Sequence, residues 1–172
     1  SGAMMKIVMF CMLFDAGIVP TYLIVRKTGL INTLWAMIFP YIAFRLPVSI
    51  MLIRSFFVGI SKEMEEAAII DGATLFQIYK TIYLPLSKPI MSTVIIMTAY
   101  YAWNEFVFAT IFVDSSKLRT IPVGLMTFSD GLMTEWGVVL AGMVIACLPI
   151  MILFIAMQKN FVRGMTAGSV KG

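Results

Sequence analysis

Four apolar stretches, at about residues 4–25, 33–57, 86–113 and 136–157, restrict what this chain can fold into. As helices, each is long enough to cross roughly 30 Å of hydrocarbon, for which about 20 residues are needed. A bilayer offers backbone amides no water, so a crossing segment must close its own hydrogen bonds. Pro20, Pro40, Pro47 and Pro149 fall inside these stretches. Neighbouring helices can satisfy the carbonyls that a proline frees, so these residues indicate kinked helices in a bundle rather than a lone anchor. The expected fold is an all-α integral membrane protein with about four transmembrane helices.

Composition agrees. Of the 172 residues, 60% are hydrophobic and 13% charged, too little charge to cover a water-facing surface of this size. The chain has no His, which excludes His-based catalysis and His-ligated metals. It also has no Gly-x4-Gly-Lys-Ser/Thr run, so it does not itself cradle ATP phosphates. Cys11 and Cys147 lie far apart in apolar runs and read as small hydrophobes rather than a disulfide or metal pair. Ser1-Gly2-Ala3 resembles a scar of tag removal, and the apolar run after it reads as a helix rather than a signal peptide.

Basic residues set the expected orientation. Lys6, Arg54, Lys62, Lys80, Lys88, Lys159, Arg163 and Lys171 fall on the side that holds both termini and the segment 58–85, whereas Arg26, Lys27, Lys117 and Arg119 fall on the other. This asymmetry puts both termini and segment 58–85 in the cytoplasm. The net charge of +4 thus reflects cytoplasmic loops, and no nucleic-acid partner is expected.

Segment 58–85 carries the strongest local signals. Ser61 is placed to cap a helix whose first turns hold Glu63, Glu65 and Glu66, where carboxylates favour the positive end. Asp71-Gly72 should close that helix, because Gly adopts the left-handed conformation without strain. Thr74 with Gln77 matches a capping box for a second helix, which Pro85 is expected to end, with Pro89 in the first turn of the next span. The result is a helix–turn–helix elbow at the membrane surface. Ala67 and Ala68 leave it a patch small enough for close approach by another surface, although an ordinary amphipathic surface helix fits the same residues.

The spacing Glu66-Ala67-Ala68, three residues, Gly72, nine residues, Ile82-Tyr83-Leu84-Pro85 resembles the EAA loop of ABC importer permeases. With Asp71-Gly72-Ala73 it is similar to the carbohydrate-uptake branch, the maltose-transporter-like second permease. Further strings run the length of the chain: Phe39-Pro40-Tyr41, Trp103-Asn104-Glu105-Phe106, Ile121-Pro122-Val123-Gly124-Leu125, Trp136-Gly137 and Gly164–Gly172. The resemblance implies the membrane-spanning subunit of a binding-protein-dependent importer in a bacterial-type inner membrane. Such a subunit is not an enzyme. ATP and Mg would be bound by a cytoplasmic ATPase dimer, and a second permease and an extracytoplasmic sugar-binding protein would complete the complex. The family usually has about six spans, so the chain is similar to its C-terminal part. Carried over, Glu66, Ala67, Ala68, Asp71, Gly72, Leu84 and Pro85 dock the ATPase. A desolvated pair made there by Glu66 would couple by about 1.5 kcal/mol or more. The tail at 158–172, through Gln158, Gly164, Thr166, Gly168 and Lys171, would reach the ATPase as well, unless it is disordered.

Polar groups inside the spans are the candidates for substrate contact. Thr98, Tyr101 and Glu105 form a stripe at helical spacing, and Tyr100, Trp103 and Asn104 stand beside it. They supply the hydrogen bonds and aromatic faces that sugars need, but interhelix packing accounts for them equally well. Segment 114–135 would lie outside the membrane and reach toward the binding protein, or simply connect two spans. Asp15 and Arg45 sit at depths that agree within about 3 Å along antiparallel neighbours, so an ion pair serving packing is expected. The alternative is that each faces the translocation path or a further helix. Competing readings are a permease for a polyamine or phosphate and, from another class, a membrane-embedded enzyme using Asp15 and Glu105. The latter lacks a nucleophile–base set.

Overall fold

A computed structural model describes residues 2–14, 16–130 and 133–169, with 130, 133 and 160–169 given by backbone alone. In chain order the helices are α1 (Gly2–Leu13), α2 (Ile18–Lys27), α3 (Trp35–Val58), α4 (Lys62–Ile70) and α5 (Leu75–Ile78). A π turn, Tyr79–Tyr83, leads into α6 (Leu84–Leu86), followed by α7 (Lys88–Asn104), α8 (Val107–Phe112) and α9 (Ile121–Met126). A short antiparallel hairpin, β1 (Ser129–Asp130) with β2 (Met133–Thr134), precedes α10 (Trp136–Ser169).

By length and apolar character, α3 and the Trp136–Lys159 part of α10 each suffice to cross a membrane. Up to four crossings result if the bent pairs α1 with α2, and Leu75–Leu86 with α7, each count as one. Most large apolar side chains of α10 are exposed, among them Leu140, Val144, Ile145, Ile152 and Ile155, as a lipid-facing or partner-facing helix requires.

The structure departs from the sequence expectation in several places. The single helix expected over 4–25 is broken into α1 and α2. Gly17, at φ 73°, stands before α2 in a conformation that no helix continues through. The span expected over 86–113 stops at Asn104, and α8 restarts at Val107. The second elbow helix ends at Leu86, one residue after Pro85, and Pro85 itself is accommodated within the helical run. Its ring would crowd the preceding turn and it has no N–H to give, and the chain widens there instead, with Leu84 N–H bonding to Tyr79 O five residues back. The axis then bends by 62° at the break around Ser87. Segment 114–135 is not a plain loop but holds α9 and the hairpin. The expected tail at 158–172 continues α10 as far as Ser169, while Lys171 lies outside the described residues.

The chain divides into two compact units, residues 1–48 with 98–153 and residues 49–97 with 154–172. The first has a core of Val25, Ala36, Met37, Ala109, Phe112, Val113 and Val123. Ala36 and Ala109 are fully buried, and small residues at such contacts let helix backbones approach closely. Phe108 stacks on Phe44 and lies against Phe112, carrying the packing from α3 into α8. Gly142 serves another close approach, since a Cβ there would collide with the Leu125 side chain of α9. In the second unit Ile78, Ile90 and Ile96 are buried, and Phe57 meets Tyr83 edge to face at 5.6 Å.

Asn32 ties the α2–α3 turn to the end of α8. Its N–H donates to Phe112 O at 2.8 Å, and its Oδ1 accepts from Ser115 N–H at 2.9 Å. It holds φ 61°, a conformation that Asn tolerates better than most residues. Asn32→Ala should lower stability by about 2 kcal/mol, through left-handed strain plus the lost bond. Asn32→Gly should lose less, because only the bond is removed. Thermal unfolding in detergent reads the order, and an alanine variant as stable as the parent would refute it.

Candidate functional site

In the unit formed by 1–48 and 98–153, the sequence candidates on α7 separate onto different faces. Tyr101 and Glu105 turn toward α3. The Tyr41 hydroxyl donates to Glu105 Oε2 at 2.6 Å, and the Tyr41 and Tyr101 rings meet edge to face at 5.7 Å. The Arg45 guanidinium lies over the Tyr101 ring, 3.7 Å from its centroid, a cation–π contact in apolar surroundings. Asp15, its expected partner, lies outside the described residues.

Glu105 is buried and explains why α7 ends where it does. Its carboxylate accepts from the backbone N–H groups of Phe108 at 2.8 Å and Ala109 at 2.9 Å, which the first turn of α8 would leave unbonded. Its own carbonyl accepts from the Thr120 hydroxyl at 2.9 Å. The Asn104–Glu105–Phe106 break is thus sealed by side chains, as a break among apolar segments must be.

Tyr100, Trp103 and Asn104 face the other way, into a cavity of about 760 Å³. Its opposite walls come from Pro122 and Leu125 of α9, the hairpin residues Ser129 and Thr134, and α10. Trp103 Nε1–H donates to Ala146 O at 2.9 Å, pinning the ring between α7 and α10. Asn104 Nδ2 donates to Tyr100 O at 2.8 Å. Thr98 is half-buried and not among the described lining residues. Trp136, Thr134 and Cys147 also line the cavity and were not singled out as contact residues from sequence. One signal pointed to Trp136. It falls in one of the family-like strings, Trp136-Gly137, although nothing in that string marks the indole as a lining group.

In the unit formed by 49–97 and 154–172, the elbow residues form two capped helices. The Ser61 side chain accepts from Glu63 N–H at 3.2 Å. At the far end Ala73 N–H reaches Ala68 O and Gly72 N–H reaches Ile69 O, a Schellman closure with Gly72 at φ 79°. Thr74 and Gln77 then complete the capping box, Thr74 N–H donating to Gln77 Oε1 at 2.8 Å. The Tyr83 hydroxyl donates to Glu65 Oε2 at 2.6 Å and ties the π turn back to α4. Glu66, Ala67, Asp71, Gly72, Leu84 and Pro85 are exposed, and Ala68 is half-buried. Exposed too is Gln158, while Gly164, Thr166 and Gly168 belong to the backbone-only part of α10.

Comparison with known proteins places the chain in a family. It belongs to the binding-protein-dependent transport system inner membrane components, the match running over residues 3–167. It is 58% identical over 158 residues to the probable ABC transporter permease protein YurM of Bacillus subtilis (strain 168), covering 92% of this chain and 53% of that relative. Identity is 41% over 150 residues to the trehalose/maltose transport system permease protein MalG of Thermococcus litoralis, covering 86% of this chain and 54% of the relative. Among solved structures, a bacterial ABC transporter involved in the import of the acidic polysaccharide alginate superposes with a TM-score of 0.75 at 30% identity, over 92% of this chain and 61% of that one. The chain spans about half the length of the curated relatives it matches.

Removing the Glu105 carboxylate should therefore cost stability in a graded way. Glu105→Ala leaves two backbone N–H groups and a phenol without an acceptor and should lose about 3 kcal/mol or more. Glu105→Gln keeps one carbonyl oxygen and should lose less, and Tyr41→Phe least, about 1 kcal/mol. Unfolding midpoints in detergent test this order. Equal midpoints for the alanine and glutamine variants would show that the carboxylate does not seal the break.

Proposed function

We propose that this chain forms part of the translocation path of an ATP-driven importer for a sugar or oligosaccharide, and that a separate cytoplasmic ATPase dimer supplies the energy. The observation that carries this reading is the corner between α4 and α5. Its backbone is fully capped and its turn fixed by Gly72, yet Ile70, Leu75 and Phe76 beside that turn are 85%, 76% and 71% exposed. A rigid corner that presents large apolar groups next to charged ones is suited to docking on a protein surface. Glu66, Ala67, Ala68, Asp71 and Gly72 form the docking face, with Leu84 and Pro85 behind it. The basic end of α10 and the tail to Lys171 make a second contact with the ATPase.

The basic residues favour a multi-pass inner-membrane arrangement with this corner and both termini in the cytoplasm. A second permease subunit and an extracytoplasmic binding protein complete the assembly, and α9 with the hairpin offers the outer surface toward that protein. Sugar is favoured over a polyamine or phosphate by relatives such as the trehalose/maltose permease and by the aromatic groups around the cavity.

Gly72→Val puts a β-branched residue at positive φ, a local strain of about 1–2 kcal/mol. In the reconstituted complex it should either prevent ATPase binding or leave ATP hydrolysis uncoupled from uptake. Normal sugar uptake by this variant would overturn the docking role. Deleting residues 165–172 should weaken ATPase capture in a pull-down while membrane insertion persists. Unchanged capture would show that the tail makes no contact.

A further inference from the structure

Building on the sugar-importer reading, we propose that the open cavity lined by α7, α9, the hairpin and α10 is itself a binding site for an uncharged oligosaccharide. At about 760 Å³ it falls within the span of small-molecule sites, roughly 300–1,000 Å³. Trp103, Trp136 and Tyr100 give it flat aromatic walls. The Trp103 N–H is committed to Ala146 O, so that side chain offers its ring alone.

Other polar groups on the lining are uncommitted. Among the described residues, neither Trp136 Nε1–H nor the Tyr100 hydroxyl has a hydrogen-bond partner, and both side chains are largely exposed. Asn104 spends its amide N–H on Tyr100 O and keeps Oδ1 as a free acceptor. At the hairpin the Ser129 and Thr134 hydroxyls pair at 3.1 Å, and each keeps further hydrogen-bonding capacity. Aromatic faces bordered by open donors and acceptors match a sugar ring, which has an apolar C–H face and a rim of hydroxyls. A lipid chain or a partner's apolar helix would bury those polar groups unpaired, which is costly.

The lining also defines the ligand's charge. No Asp, Glu, Lys or Arg is among the described lining residues. A uronate polymer or a polyamine entering this cavity would shed water from its charges and meet no counter-charge among the described lining residues. The site therefore selects neutral sugars, in contrast to the acidic polysaccharide that the superposing transporter imports.

Cys147 provides the reporter, since it is exposed and lines the cavity, while Cys11 on α1 is exposed and not among the lining residues. The full-length protein would be assembled with its ATPase, second permease and binding protein in proteoliposomes. Maleimide labelling of the Cys147 peptide would be followed by mass spectrometry, with Cys11 as internal control. The probes are maltotriose, raffinose, an oligomannuronate and spermidine, and uptake of each is measured in parallel. At least one neutral trisaccharide should be taken up and should slow Cys147 labelling about tenfold, without changing Cys11. Trp136→Ala should raise the half-saturating sugar concentration about tenfold and leave the maximal rate and ATPase assembly intact, as expected for a group that binds without driving the cycle. Uptake of a trisaccharide with no protection of Cys147 overturns the site and leaves the importer reading standing. A Cys147 unreactive with or without sugar also overturns it, because a partner helix then fills the cavity. Protection by oligomannuronate or spermidine overturns the selection for neutral sugars. Uptake of those two alone, or of none of the four, overturns both the site and the importer reading.

Discussion

Backbone hydrogen bonds have no water to fall back on inside an apolar bundle, and the structure depends on how each interruption of a helix is sealed. The clearest case is Glu105. Where α7 stops, its carboxylate takes two N–H groups at the start of α8 and the Tyr41 hydroxyl, while its carbonyl takes Thr120. One buried side chain thereby joins α3, α7, α8 and the entry to α9. The packing of Phe44, Phe108 and Phe112 rests on that junction, because α8 has its direction only if its first turn is satisfied. A charge at such a place is expensive unless it is bonded on several sides, and here it is.

The elbow meets the same requirement by local means, and for that reason it was legible in the sequence. Ser61, Gly72, Thr74 and Gln77 satisfy donors and acceptors within a few residues of themselves, so their spacing alone specifies the caps. The apolar stretches could also be read, since length and composition suffice to mark α3 and the first part of α10. The break at Glu105 could not be read. An acidic residue late in an apolar run looks like a polar stripe, and its role emerges only when α8 is seen to begin at Val107. The π turn before Pro85 could not be read either. A proline ends an ideal helix, but a π turn lets the chain pass it by making one wider hydrogen-bonded loop.

The polar and aromatic residues of α7 could be marked in the sequence, but not the direction in which each one faces. Consecutive side chains on a helix diverge by about 100°, and Tyr100 and Tyr101 here face different neighbours. The structure sends Tyr101 to Arg45 and Tyr41, and Tyr100 to the cavity. The cavity's other residues are distant in sequence, with Trp136 and Cys147 on α10 and Ser129 and Thr134 on the hairpin. No local pattern joins them; across the cavity it is the Trp103–Ala146 hydrogen bond that links α7 to α10.

Gly142 belongs to none of these groups, yet it governs the space they share. Leu125, which lines the cavity, has its side chain where a Cβ at position 142 would stand. A larger residue there would have to displace the Leu125 side chain, and so alter that wall of the cavity without replacing any of its polar residues. The room on that side of the cavity and the hydrogen-bonding groups on its wall are thus fixed at separate positions of the chain.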